Sequence, residues 1–245
     1  MNALPTRALE AFRYADIEAL ASVWSELAQP EIIEIAAQQK LQQIWLPNHE
    51  EVQVRRVEMI LHAGTSASIF ALNTASRYGR IELDVTLHEG ANFAFDAANI
   101  GGGKATLEIV TIVRHADPNA TSRQTIRSVL GGKAAGSYLG KLAVSRGADG
   151  TDSVQSVKAM LLNRGAIANA KPELEIYADD VKCAHGATVG ELDAEQLFYA
   201  AARGLDPAGA RALLLGGFVG GLWDGIEGDD LGIAELARTA LKRIA

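Results

Sequence analysis

The residues best suited to chemistry in the 245-residue chain lie in one short stretch, Ala178 to Gly190, ADDVKCAHGATVG. It places Cys183, the single cysteine, two positions before His185. On a strand, residues two apart project to the same face, so thiolate and imidazole would point together. Both are ligands for iron, zinc and copper. Two ligands are too few for a closed site, because structural zinc and iron–sulfur clusters take about four. His62, His88 and His115 are distant in sequence, so two readings stay open. The pair is half of a metal site completed from elsewhere, or a packed cysteine beside a hydrogen-bonded histidine. Asp179 and Asp180, just before it, either orient the imidazole or cap a turn.

Other short motifs fail on inspection. Gly101-Gly102-Gly103-Lys104-Ala105 resembles a phosphate loop, but Ala98 stands where the first glycine belongs and Ala105 where Ser or Thr would hold magnesium. Gly64-Thr65-Ser66-Ala67-Ser68 lacks the second glycine of a nucleophile elbow. No catalytic residue is expected, and the chain does not read as an enzyme.

Composition narrows the partners. The formal charge is 23 − 30 = −7, and no run of Lys or Arg exceeds a pair. A nucleic-acid binder would need a clustered basic face, so nucleic acid is not expected. A single cysteine forms no internal disulfide, which points to a reducing, cytoplasmic compartment. The start, MNALPTRALEAF, lacks the basic-then-apolar layout of a signal peptide. The apolar run Ala212 to Trp223, ALLLGGFVGGLW, is shorter than the about 20 residues of a bilayer span, so no membrane association is expected. Its Gly216-Gly217 and Gly220-Gly221 pairs read as a close-packing helix face or as a buried helix of little bulk.

The elements that must position Cys183 and His185 fall into three regions. Residues 1–51 read as helical: Leu9, Phe12, Ile17, Leu20, Val23, Trp24 and Leu27 recur at helical spacing, with a second mixed pattern from Pro30 to Trp45. Residues 52–191 read as all-β. Ile81, Leu83, Val85 and Leu87 alternate with Glu82, Asp84, Thr86 and His88, and further apolar stretches follow between glycine turns at Gly90, Gly101–Gly103, Gly131-Gly132 and Gly147. Irregular spacing leaves sandwich, barrel and β-helix open at this point. Residues 192–245 return to helix. Asp193 with Gln196 resembles a capping box, Asp206-Pro207 opens a second helix, and Ile233, Leu236, Ala237, Ala240, Leu241 and Ile244 form a final amphipathic stripe after the Gly228-Asp229-Asp230 turn.

The run from Lys171 to Gly190, KPELEIYADDVKCAHGATVG, strongly resembles the signature of the SufD branch of the SufB/SufD family, scaffold proteins of the SUF iron–sulfur cluster assembly system. The likeness continues through Leu192-Asp193, Gln196-Leu197-Phe198-Tyr199 and Arg203-Gly204. It reappears upstream in Thr151-Asp152, Gln155-Ser156 and Leu161-Leu162, in His115 with Pro118 and Ser122, and in the opening Leu4-Pro5-Thr6-Arg7. Gly186 after His185 is similar to the SufD branch, whereas SufB has Glu there.

The resemblance implies a right-handed parallel β-helix flanked by helical N- and C-terminal regions. It also implies pairing with SufB through the β-helix and binding of the ATPase SufC through the C-terminal helices, for which Leu197, Phe198, Arg203, Leu214 and Phe218 are the candidate contacts. The family further implies a transient iron–sulfur cluster at the SufB–SufD interface, with His185 as ligand and Cys183 as ligand or structural residue, and none held stably by the isolated chain. Self-pairing of the isolated chain stays open. The rival readings are a metal-free β-helix dimerisation protein and a β-helix polysaccharide-processing enzyme.

Overall fold

The computed structural model describes residues 3–27, 29–48, 50–228 and 232–244. Twelve strands among them form two parallel six-stranded sheets. Odd-numbered strands, β1 (Glu31–Ile35), β3 (Val52–Leu61), β5 (Tyr78–Leu87), β7 (Thr106–His115), β9 (Ala135–Val144) and β11 (Ile167–Ile176), make one sheet in chain order. Even-numbered strands, β2 (Lys40–Trp45), β4 (Ser66–Asn73), β6 (Asn92–Gly101), β8 (Thr121–Leu130), β10 (Thr151–Leu161) and β12 (Val181–Gly190), make the other. Each coil therefore contributes one strand to each sheet, and the chain is a parallel β-helix of about five coils.

The coil length drifts. Val52 opposes Tyr78, 26 residues on; Tyr78 opposes Thr106, 28 on; Thr106 opposes Ala135, 29 on; and Ala135 opposes Ile167, 32 on. The growth is absorbed in turns such as those at Gly90, Gly103, Gly132 and Gly147, whose positive φ values suit glycine. A repeat whose length varies from 26 to 32 residues leaves no fixed sequence period.

Strands begin earlier than the sequence pattern suggests. The expected helical region 1–51 is helical only as far as Leu27, in a 3₁₀ turn (Glu10–Phe12), α1 (Ile17–Ala21) and α2 (Trp24–Leu27). Pro30 to Trp45 instead supplies β1 and β2, which extend both sheets at one end. The β-branched Ile32, Ile33 and Ile35 favour strand, and only Ile35 and Trp45 of these strands are buried, so the inward period is faint. The apolar stretch from Leu174 to Val181 straddles the corner between β11 and β12 rather than forming one strand.

The segment before Leu27 lies across the outer face of the odd-numbered sheet. Phe12, Ala15, Ala19 and Leu20 pack with Tyr78, Arg77 pairs with Asp16, and Lys171 of β11 pairs with Glu10. Beneath it sits a buried charged cluster. The Arg80 guanidinium is fully buried 4.2 Å from the Phe12 ring centroid, donating to Glu82 at 2.8 Å and to Glu108 at 3.2 Å. Tyr78 donates to the same Glu108 oxygen at 2.6 Å. Burial outweighs these cations and donors at Glu108 and pushes its carboxyl up. At Glu82 burial acts the same way, but Arg80 and Arg56 outweigh it and hold the carboxyl low.

At the other end, α3 (Ala194–Ala202), α4 (Pro207–Gly220) and α5 (Ile233–Ile244) follow the last strand. Asp193 accepts from the Glu195 and Gln196 amides, and Asp206 from the Gly209 amide, as the cap signals foretold. Asp229 and Asp230 of the expected turn lie outside the described residues. The apolar stripe of α5 docks on the even-numbered sheet of its own β-helix: Ile233, Ala237 and Leu241 are buried with Phe70, Ala98, Ile100 and Val129. Gly102 lies so close under this helix that an added Cβ would meet Ile244 at 2.6 Å. The α4 glycines play neither role expected of them. An added Cβ at Gly216, Gly217 or Gly220 meets nothing within 4 Å, and these residues line an open groove beside α5. The helix is held instead by Leu215 and Val219.

Candidate metal-ligand site

Cys183 and His185 both lie on β12, which pairs only with β10 among the described residues. Strand registers run as unbroken lanes through the even-numbered sheet. One lane runs Leu41, Ala67, Phe93, Ser122, Ser153, Cys183. The next runs Gln43, Ile69, Phe95, Gln124, Gln155, His185. Because Phe93, Phe95, Ser153 and Gln155 are buried inside the coil, Cys183 and His185 stand over the interior at its open end. Cys183 packs against the interior apolar cluster, whereas His185 is exposed. The sequence expectation that both project together is met.

In both lanes the interior changes from apolar to polar towards this end. The early coils are filled by Met59, Leu61, Ile69, Leu83, Val85, Phe93 and Phe95. The later ones contain Thr111, His115, Ser122, Gln124, Tyr138, Ser153 and Gln155, all buried. His115 Nε2 lies 2.9 Å from Ser122 Oγ, which lies 2.7 Å from Ser153 Oγ, directly below Cys183 in the lane. Beside it, the Tyr138 hydroxyl contacts Thr111 at 3.0 Å and donates to Gln124 at 3.1 Å. Gln155, under His185, has no hydrogen-bond partner for either side-chain amide atom. Burying polar groups costs free energy unless they are paired, so a lumen of this kind calls for a role beyond packing.

Titration follows the burial. Burial raises the Cys183 thiol, and the negative Asp152 adds to the rise, so the group rests protonated rather than as a poised thiolate. His115 is pushed down from 6.5 to about 4 by burial, which outweighs a backbone hydrogen bond at Ala120. It is therefore neutral in the fold near pH 7. An unfolded histidine takes up its proton near 6.5, so this contribution to stability is complete above that pH. It is lost as pH falls towards 4, across a window of 6.5 − 4 = 2.5 units, worth roughly 3 kcal/mol. Urea unfolding at pH 7.5 and pH 4.5 should show it: the acid loss is smaller in His115→Gln than in the wild type by about that amount. Equal losses in the two proteins would contradict it.

Among the described residues the other histidines do not join the pair. His62 and His88 stack at 5.4 Å on earlier coils, each held by a carboxylate, Glu34 at 2.6 Å and Asp117 at 2.7 Å. His115 stays inside the lumen. Among the described residues no group of three or more His, Cys, Asp or Glu could hold a metal ion.

The five candidate partner contacts divide among three places. Phe198, Arg203 and Leu214 line an apolar surface between α3 and α4 with Tyr199, Leu205 and Leu213. Phe198 is 76% exposed there. Leu197 instead faces a groove with Leu161 and Leu162, and Phe218 packs in the α4–α5 cluster, with its ring 5.9 Å from the Arg127 guanidinium.

The chain is thus a parallel β-helix that ends in exposed strands, carries a Cys/His pair over a polar lumen and bears a helical appendix. The chain matches the model of the SUF system FeS cluster assembly SufBD core domain over residues 26–218, and it belongs to that family. It is 33% identical over 156 residues to an iron–sulfur cluster assembly SufBD family protein of Synechocystis sp., a match covering 63% of this chain and 34% of that protein. It is 35% identical over 128 residues to the iron–sulfur cluster assembly protein SufD of Escherichia coli, covering 52% and 30%. To the chloroplastic protein ABCI7 of Arabidopsis thaliana it is 37% identical over 114 residues, covering 46% and 24%. The matches thus span about a third or less of these relatives. No helix among the described residues is long and apolar enough to cross a membrane.

The placement of Cys183 and His185 on one strand face, the capped C-terminal helices and the strand period of β5 were readable in the sequence. The strands β8 and β10 were not, because their inward positions are Ser122, Gln124, Ser153 and Gln155 rather than apolar residues. Their signal was present as regular alternation of buried and exposed positions without hydrophobicity.

Proposed function

We propose that the chain is the SufD-type half of a SUF scaffold, pairing with SufB through the β11–β12 end of the β-helix, binding SufC through α3 and α4, and lending His185 to a nascent cluster between the two scaffold chains. The observation that carries this reading is the placement of Cys183 and His185 on a terminal strand whose far edge is unpaired. A strand edge left open is a template for another chain. The same end exposes Val154, Ile167, Ile176, Tyr177 and Val189, apolar surface that a partner would cover. Pro172 in β11 supports an edge role for that strand, since proline is tolerated where no ladder donor is needed.

The shortage of ligands on this chain fits a shared site, with the cluster as cargo rather than resident cofactor. His185 is the stronger candidate ligand because it is exposed at the edge. Cys183 has to lose a proton that burial and Asp152 hold in place, so it is the weaker one. The chain has no turnover of its own in this reading. ATP-driven movement of SufC would be transmitted through the α3–α4 surface to the end of the β-helix, which Leu192 and Leu197 adjoin.

Co-purification with SufB and SufC tests the assembly. Phe198→Asp places a charge at the centre of the exposed α3–α4 face and is expected to lower SufC retention at least about ten-fold while SufB is retained, as loss of a buried interface anchor would. Undiminished SufC binding would remove α3–α4 as the docking face.

A further inference from the structure

The polar lane under His185 has a feature that packing does not explain. Gln155 is 0% exposed, and neither atom of its side-chain amide has a partner. Its neighbour towards the interior is Gln124, whose oxygen accepts from Tyr138 while its Nε2 is also unpartnered. Its neighbour towards the open end is His185. Register partners in a parallel sheet lie about 4.8 Å apart with side chains on the same face, so Gln155 and His185 are neighbours on one face and within reach of each other. Leaving a buried amide unpaired costs about 1–3 kcal/mol, and a leucine would fill the same lane without that cost.

We infer that Gln155 is the positioning residue for His185. Its Oε1 accepts the hydrogen bond from one ring N–H of the imidazole, which fixes the tautomer and turns the other ring nitrogen towards the metal. Ligating histidines generally donate their second ring N–H to such an acceptor. The Gln155 Nε2 is then free to donate to Gln124 Oε1, so that His185 donates to Gln155, Gln155 donates to Gln124, and the Gln124 oxygen accepts from both Gln155 and Tyr138 in the lumen. The orphaned amide belongs to the state in which the edge is open, and covering that edge closes the chain. This inference rests on His185 being a ligand, as proposed above.

The test uses the complex with SufB and SufC, loaded anaerobically with ferrous iron and sulfide, comparing wild type, Gln155→Leu, Gln155→Met and His185→Ala. For both Gln155 variants the expected result is a melting temperature of the isolated chain equal to or above that of the wild type, with cluster absorption of the complex about ten-fold lower, the scale of losing an outer-shell partner. The ¹⁵N spectrum of His185 should also change from one dominant tautomer in the wild-type complex to a mixture in the variants, a readout that a purely structural role would not move. If the Gln155 variants load like the wild type while His185→Ala does not, the inference is overturned and the ligand reading stands. If His185→Ala also loads normally, both are overturned. A variant that melts lower than the wild type would likewise contradict it, because the amide would then be serving the fold.

Discussion

His185→Ala is expected to leave the complex with SufB and SufC intact and to remove its capacity to hold a cluster. His185 is exposed on β12, so the fold should tolerate the change. Gly186 and Gly190 beside it meet no neighbour within 4 Å even with a Cβ added, which shows how little this stretch of β12 contributes to packing. Loss of an outer-shell partner lowers metal affinity about 10- to 100-fold, so loss of a ligand sets a deficit at least that large. Visible absorption after anaerobic loading, normalised to the amount of complex, measures it. Cys183→Ala should have the smaller effect, since its thiol rests protonated. A His185→Ala complex that loads fully would make the histidine structural and leave the chain a mechanical role.

The largest stability effect is expected far from that site, at Arg80. Removing the guanidinium in Arg80→Ala leaves the Glu108 carboxyl buried without its cation, and its Oε1 already lacks a partner. Breaking a buried ion pair from one side costs about 3–5 kcal/mol. The loss is compounded because Arg80 also stacks on Phe12 and so pins the segment before Leu27 to the odd-numbered sheet. In a chain of this length each kcal/mol moves the midpoint by about 2–4 °C, so thermal melting should fall by about 10 °C. Arg80→Ala combined with Glu108→Gln should recover more than half of the loss, because the neutral amide keeps an acceptor for Tyr78 without a stranded charge. A single mutant that melts within about 2 °C of the wild type would show that the cluster is not holding the segment in place.

The same contrast explains what the sequence could and could not reveal. Glu82 reads as a polar, outward position of an alternating strand, and it does face outward from the coil, as does Arg80 two residues before it. Nothing in local pattern shows that residues about 60 positions earlier would fold back and bury them. The inward positions Ile81, Leu83, Val85 and Leu87 were legible because the early coils are filled with apolar side chains, and a two-residue period then marks the face. That period loses its hydrophobic contrast where the lumen turns polar. Thr121 to Leu130 and Thr151 to Leu161 are strands whose buried faces present hydroxyls and amides. Coil spacing was hidden for a different reason, since the passes differ in length, from 26 to 32 residues. The family signature was legible because it is carried by residue identities along β12 and the Asp193 cap, independent of hydrophobic period. Its one structural gap, β1 and β2, lies where edge strands bury only Ile35 and Trp45.

The shared character of the site is the claim on which the rest depends, and one reconstitution series tests it directly. The isolated chain, SufB alone and the two together are incubated anaerobically with ferrous iron and sulfide, desalted, and assayed for iron, sulfide and visible absorption. A half-site predicts that only the pair retains a stoichiometric cluster and that its absorption disappears with His185→Ala. A stable stoichiometric cluster on the isolated chain would contradict it.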